Sequence, residues 1–192
     1  MELKQAILSR RSIRQYREQS IPLSILTEIL EAGTYAPSAV DLQPWYFVVI
    51  RSRENMLRLA EVMGRVSGQI KPILQERFAK HPEVVEETTR FLRQLGGAPV
   101  CILAFALRPD YTKTESTITQ SVSAALENIL LTAVDKGLGG CWLTAPLEVG
   151  LGDELRDAFA PGKGKFVAML TLGYPAKIPK PPARKAERYV II

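Results

Sequence analysis

Apolar positions along this chain recur at two spacings, and the spacings predict its elements. Residues 3–9 and 23–33 read as helices; in the second, Leu23, Leu26, Ile29 and Leu30 recur at helical intervals, and Gly33 is placed to stop it. Trp45-Tyr46-Phe47-Val48-Val49-Ile50 follows a stretch bracketed by Pro37 and Pro44, and its aromatic and β-branched residues favour a buried strand. Helices are predicted at 54–64, 69–80 and 83–95, the last two divided by His81-Pro82. This polar middle section lies where a lid or a pocket wall could be inserted. Pro99 to Ala106 reads as a second buried strand. A long helix at about 115–136 carries Val122, Ala125, Leu126, Ile129, Leu130 and Ala133 on one broad face. Lys136-Gly137, a cation followed by a glycine, suits its C-terminus. A short strand through Gly139–Leu143, a helix near 150–159 and a strand from Lys165 to Leu172 complete the pattern. Gly139 and Gly140 read equally well as a helix stop with a tight turn.

Helices alternating with apolar strands, without an internal repeat, predict one domain over 1–192, an α+β or α/β sandwich with a central sheet. The tail from Gly173 is rich in Pro, Lys and Arg and ends in Arg188-Tyr189-Val190-Ile191-Ile192. An extended arm closing on a β-prone apolar tetrapeptide is costly to leave in water. It can pair with the edge of its own sheet or with another subunit's sheet. Together with the apolar breadth of the long helix, this favours a homodimer.

Composition narrows the function classes. A chain of 192 residues, 46% hydrophobic and 23% charged, is long enough for a sizeable core and ordinary for a soluble protein. The net charge of +5 is modest, acidic residues are spread throughout, and basic clusters stand only at 10–17 and 177–188. No nucleic-acid partner is therefore expected, although a basic nucleic-acid-binding module stays as an alternative. Cys101 and Cys141 lie in apolar runs and read as buried free thiols. His81, the single histidine, reads as a solvated turn residue, and no His/Cys cluster supports a metal. The longest clean apolar stretch, Ala98–Leu107, is too short to span a bilayer, and the N-terminus lacks the apolar core of a signal peptide. No membrane partner and a cytoplasmic location are expected.

The chemistry concentrates in two stretches. Arg10-Arg11-Ser12-Ile13-Arg14 gathers three guanidinium groups, which make bidentate, charge-assisted bonds to phosphate oxygens. The cations also suit the C-terminal turn of a helix. Ala36-Pro37-Ser38-Ala39-Val40-Asp41-Leu42-Gln43-Pro44-Trp45 offers hydroxyl, carboxylate and amide groups that suit a flat heterocycle with polar edges, while Ser and Asp there are also ordinary turn formers. Together they read as a nucleotide-like cofactor site. Trp45 and Trp142 read as core residues.

These residues resemble the FMN-dependent nitroreductase family. The likeness is carried by RRSIRQY at 10–16, APSAVDLQPWYFVVI at 36–50, ENILLTAVDKGLGGCWL at 127–143, and LGYP at 172–175 with the basic tail, in the family's order. The resemblance implies an α+β, three-layer α/β/α sandwich with a mostly antiparallel central sheet, and an intertwined homodimer with two FMN sites at the interface. The arm from about 174 to 192 would cross to the partner. It implies FMN as cofactor, NAD(P)H as hydride donor to flavin N5, and a nitroaromatic, quinone or similar small oxidant as acceptor in a double-displacement cycle. A non-catalytic flavin-binding or electron-transfer protein is the alternative. Arg10, Arg11, Ser12 and Arg14 match the first FMN-binding block, with Arg10 at the phosphate and Arg14 at the flavin N1/O2 edge. Pro37, Ser38, Ala39 and Asp41, with Gln43 nearby, match the loop that the partner subunit supplies. Thr144 and Ala145 would present backbone groups near N5 and O4, and Arg184 would close on the phosphate.

The resemblance implies no side-chain acid or base, since the cofactor carries the redox chemistry. A fixed cation at Arg14 would stabilise the negative charge of reduced flavin, with Thr144 orienting the reactive edge. The chain departs from the family in three places: Asp41 stands where Asn is common, Pro182 where some members have Lys, and Thr144 where some have Glu. Lys180 or Lys185 would substitute at the second of these. An ionised Asp can only accept hydrogen bonds, so Asp41 is expected to disfavour the reduced cofactor and Asp41→Asn to raise its midpoint potential.

Overall fold

A computed structural model describes residues 1–107 and 115–192. The elements are α1 (Leu3–Ser9), α2 (Leu23–Thr34), β1 (Trp45–Ile50), α3 (Arg53–Arg77), α4 (Pro82–Gln94), β2 (Val100–Ala106), α5 (Glu115–Asp135), β3 (Gly139–Leu143), α6 (Ala145–Glu148), α7 (Gly152–Phe159) and β4 (Lys165–Gly173). The strands form one sheet in the order β1-β2-β4-β3, and every neighbouring pair is antiparallel.

Side chains of a strand alternate between its two faces, and each face here has its own core. Cys101, Leu103 and Phe105 of β2 pack with Leu59, Met63, Val66 and Ile70 of α3, Phe91 and Leu92 of α4, and Leu155 of α7. Val100, Ile102 and Ala104 face the other way, onto Leu26 and Ile29 of α2 and Val122, Leu126, Ile129 and Ala133 of α5. This is the α/β/α layering of an α+β fold. The broad apolar face read from the α5 sequence is wholly buried. Trp45 and Trp142 pack against the second core, and both cysteines are buried free thiols.

Three expectations need correction. The helices placed at 54–64 and 69–80 are one helix, α3, running through Gly64, Gly68 and Pro72. Val62, Met63, Val66, Ile70 and Leu74 keep one face of it buried across that stretch, and continuous burial outweighs the local propensity of Gly and Pro. The same burial, with Val85, Phe91 and Leu92 of α4, makes 65–97 part of the core rather than an appended lid. Gly33 does not stop α2 but lies inside it; a Cβ there would stand 2.8 Å from the Ile129 side chain, so the glycine serves the α2–α5 contact. Gly139 and Gly140 belong to β3, as the strand read through Gly139–Leu143 expected, rather than to the alternative tight turn. The stop of α5 is Gly137, whose φ of 74° is the left-handed conformation glycine adopts freely.

His81 is exposed at the start of α4, 3.2 Å from Glu83. No described helix is long and apolar enough to cross a membrane, and no group of metal-ligating side chains occurs among the described residues.

Candidate functional site

Beyond α1 the chain runs along the end of the sheet as an extended segment pinned by backbone bonds. Ser12 bridges Gly140 of β3, and the Ile13 N–H donates to Gly140 O at 2.9 Å. The Tyr16 N–H donates to Gly96 O at 3.1 Å, and the Arg17 N–H to Tyr174 O at 2.9 Å. The Ala176 N–H donates back to Gln15 O at 3.0 Å. Ile13 and Tyr16 point inward. The Tyr16 hydroxyl lies 2.7 Å from both Ile13 O and Thr171 Oγ1. The segment approaches so closely that a Cβ on Gly139 would collide with Ile13, and one on Gly96 with the backbone carbonyl of Arg14. These glycines are spacing devices for the segment.

Pinning Ile13 inward leaves Ser12 and Arg14 at the surface of a cleft of about 390 Å³. Its other walls are Gln15, Glu87, Arg90, Phe91, Gln94 and Gly96, with Lys177 and Pro179 from the tail. The Arg14 guanidinium sits 5.9 Å from the centroid of the Phe91 ring, a cation–π contact that holds it without neutralising it. Arg10 pairs with Glu127 of α5, Nε to Oε1 at 3.2 Å. Arg11 turns back and donates to Leu8 O and Arg10 O at 2.7 Å each, so it caps α1 as the helix-terminus reading expected. Behind the segment lies Cys141. Burial pushes its thiol pKa up, while Arg14, a hydrogen bond from Ser12 and Arg10 act against the rise. Arg10, Ser12 and Arg14 thus gather around one point at β3.

The second stretch is held differently. The Gln43 N–H donates to Ser38 Oγ at 3.0 Å, the Ala39 N–H to Ser121 Oγ of α5 at 3.1 Å, and Gln43 Nε2 to Asp41 Oδ1 at 3.0 Å. Val40, Asp41 and Gln43 all have positive φ, and Pro37, Val40, Asp41 and Gln43 are exposed. None of the hydrogen bonds among the described residues ties this loop to Arg10–Arg14. Thr144 is exposed where β3 enters α6, and its carbonyl accepts from the Leu147 N–H at 2.8 Å; Ala145 beside it is half-buried. Arg184, Lys180 and Lys185 lie in the exposed tail, apart from the cleft walls.

The structure therefore brings Arg10, Ser12 and Arg14 together. It leaves the Pro37–Gln43 loop, the Thr144–Ala145 corner and Arg184 as separate features of one chain. The sequence reading missed Arg90, Phe91 and Lys177. Arg90 sits in an ordinary amphipathic helix and Lys177 in a basic tail, so nothing local distinguishes them. Tyr16 was quoted within its motif but given no task; its buried hydroxyl between Ile13 and Thr171 is a contact across 155 residues.

The structure thus lays a segment of clustered arginines against β3 of an α/β/α sandwich. The particular family follows from comparison: the profile of the Nitroreductase family matches residues 7–174, and the chain belongs to that family. NADH dehydrogenase of Thermus thermophilus is 32% identical over 187 residues, covering 92% of this chain and 88% of its own length. The iodotyrosine deiodinase of Thermotoga neapolitana is 26% identical over 181 residues, covering 90% and 87%. Among solved structures, the "putative nitroreductase in complex with FMN" from Desulfovibrio desulfuricans superposes with a TM-score of 0.73 at 28% identity, covering 97% of this chain and 93% of that one.

Proposed function

We propose that this chain is an FMN-dependent NAD(P)H oxidoreductase that works as a homodimer. The observation that carries the reading is the placement of Ser12 and Arg14 on either side of Ile13, whose backbone bond to Gly140 fixes the segment on β3, with Arg10 just before them at the end of α1. Those residues fit FMN. Arg10 and Ser12 offer a guanidinium and a hydroxyl to its phosphate, and Arg14, bonded to no carboxylate among the described residues, offers a cation to the pyrimidine edge. Arg11, spent on the end of α1, contributes charge rather than a contact. Bound there, the cofactor supplies hydride acceptance from NAD(P)H and electron delivery to a small oxidant such as a nitroaromatic or quinone.

The protein's part is binding and electrostatics. Arg10 exchanges Glu127 for phosphate when the ligand arrives. Arg14, already oriented by Phe91, needs little reorganisation to stabilise charge that grows on reduction, which is where fixed dipoles and cations favour the reduced state. Thr144 and Ala145 present the backbone of the β3–α6 corner to the ring. The loop of Pro37, Ser38, Ala39, Asp41 and Gln43 comes from the partner subunit, since in its own chain it rests on α5 and leaves its polar groups outward. The tail, with Arg184, closes over the phosphate after crossing between subunits.

The test is a titration of FMN followed by anaerobic mixing with NADH and NADPH, then a panel of oxidants. Arg10→Ala is expected to weaken FMN binding about tenfold or more, one charge-assisted bond being worth roughly 1.5–3 kcal/mol. Initial rates should give parallel lines in double-reciprocal plots. A colourless protein that takes up no FMN and binds DNA with steep salt dependence would overturn the reading. A yellow protein that reduces slowly with both donors would mark an electron-transfer protein instead.

A further inference from the structure

The loop at 38–43 is bonded to itself except at one point. Within it, the Asp41 N–H donates to Ser38 O at 3.3 Å, the Leu42 N–H to Ala39 O at 3.1 Å and the Gln43 N–H to Ser38 Oγ at 3.0 Å. Among the described residues, the one hydrogen bond that leaves the loop runs from the Ala39 N–H to Ser121 Oγ of α5, at 3.1 Å. Ser121 is 6% exposed, and every other buried residue of α5 is apolar. A hydroxyl in that stripe is costly to bury without partners, and alanine would favour the helix more. The Ser121 O–H donates one turn back to Thr117 O at 2.8 Å, which leaves its oxygen free to accept from the loop. The reason for a serine at this position therefore lies outside α5.

We infer that Ser121 is a positioning residue for the cofactor: through Ala39 it holds the Asp41 carboxylate in place at the flavin of the opposing subunit. The inference rests on the proposed FMN site and adds to it a residue that touches neither cofactor nor substrate. Three observations support it. Val40, Asp41 and Gln43 all hold positive φ, a shape that ordinary residues do not keep without support. Gln43 Nε2 donates to Asp41 Oδ1 at 3.0 Å, so the carboxylate moves with the loop rather than independently of it. Further along the same helix, Glu127 pairs with Arg10. α5 thus carries one group against the cationic segment and another against the loop, and its buried body sets the placement of both. Loss of the Ala39 bond frees Asp41 from its fixed place, which weakens the carboxylate's opposition to the negative charge of the reduced cofactor.

The experiment compares wild type, Ser121→Ala, Asp41→Asn and the double variant. It reads hydrogen exchange at the Ala39 amide before FMN is added, then the FMN dissociation constant and the flavin midpoint potential of the loaded proteins. Ser121→Ala is expected to speed exchange at Ala39 and to weaken FMN binding about fivefold, the loss of one neutral hydrogen bond. It should also raise the potential, by less than Asp41→Asn does. In the Asp41→Asn background Ser121→Ala should leave the potential where it is, because the charge it positions is gone. A potential unmoved or lowered by Ser121→Ala overturns the inference, as does an Asp41→Asn variant with the wild-type potential. An upward shift of the same size in both backgrounds overturns it as well, since it marks a general loosening of the site. Unchanged exchange at Ala39 does the same, the loop then being held by something else. If wild type takes up no FMN yet Ser121→Ala speeds exchange at Ala39, the hold of Ser121 on the loop stands and the cofactor reading falls.

Discussion

Residues 12–17 and residues 38–43 are both short polar stretches between regular elements, yet they are held in opposite ways. The first is sewn between β3, the turn after α4 and the residues following β4, with its apolar side chains driven into the sheet. The second is bonded to itself and to one serine of α5, and three of its non-glycine residues sit at positive φ. Left-handed backbone costs about 1–2 kcal/mol at an ordinary residue, and it persists where surrounding structure or function over-determines it. Val40 is the plainest instance: a β-branched residue at φ 45°, 83% exposed, with no packing of its own to offset the conformation. One half of the candidate site is thus finished by the fold of a single chain. The other is shaped in advance of whatever it meets.

The sharpest way to break that contrast is Gly96→Ala. Gly96 combines a φ of 63° with a collision against the Arg14 carbonyl, and backbone cannot yield as a flexible side chain does. A loss of about 3 kcal/mol is expected, seen as a lower urea midpoint together with weaker FMN binding, because Arg14 moves with its carbonyl.

Tyr16→Phe comes next. It removes the hydroxyl bonds to Ile13 O and Thr171 Oγ1 and should cost about 1–2 kcal/mol by the same denaturation assay. It also has a pH signature. Burial raises the Tyr16 phenol well above its ordinary value, and the Cys101 thiol is pushed from 9.0 up to about 12. The folded chain therefore keeps protons that the unfolded chain releases. Stability from both groups is complete below their ordinary values and falls as pH rises through 9 and 10. Tyr16→Phe should flatten the fall above pH 10 and leave the part due to Cys101. A profile identical to wild type would show that the phenol titrates normally.

The smallest expected effect belongs to the loop. Val40→Asn should raise stability by about 0.5–1 kcal/mol in thermal melts, since asparagine tolerates the left-handed region and Val40 contributes no buried surface. A destabilised variant would mean that Val40 is buried in the assembled protein.

Much of this architecture was legible from pattern. β1, β2 and β4 are apolar runs whose alternate residues feed two cores, and α5 shows its buried face in the spacing of Val122, Leu126, Ile129 and Ala133. What failed was local inference around glycine. The gap between the helices predicted at 54–64 and 69–80 is bordered by Gly64 and Gly68, and propensity speaks only of the helix itself, whereas the burial of Val66 and Ile70 is decided by the sheet above them. Gly139 admitted a tight-turn reading beside the strand that holds, because the reason for a glycine there is Ile13, 126 positions away in sequence and invisible to any window. At the site, Arg10 and Arg14 were legible as phosphate-type cations in a motif. Arg90 was not, since only tertiary packing brings α4 to the segment.

The bonds of Arg17 have a consequence for the order in which the molecule is made. Its N–H donates to Tyr174 O and its Nε to Pro175 O at 3.0 Å, a separation of 158 residues for the latter. Closing a loop of that length is entropically costly, and topologies dominated by such distant contacts fold slowly. On a ribosome, the acceptors at 174 and 175 are made about 160 residues after the arginines at 10–14, so a growing chain carries its cationic segment without these two bonds until that later stretch has emerged.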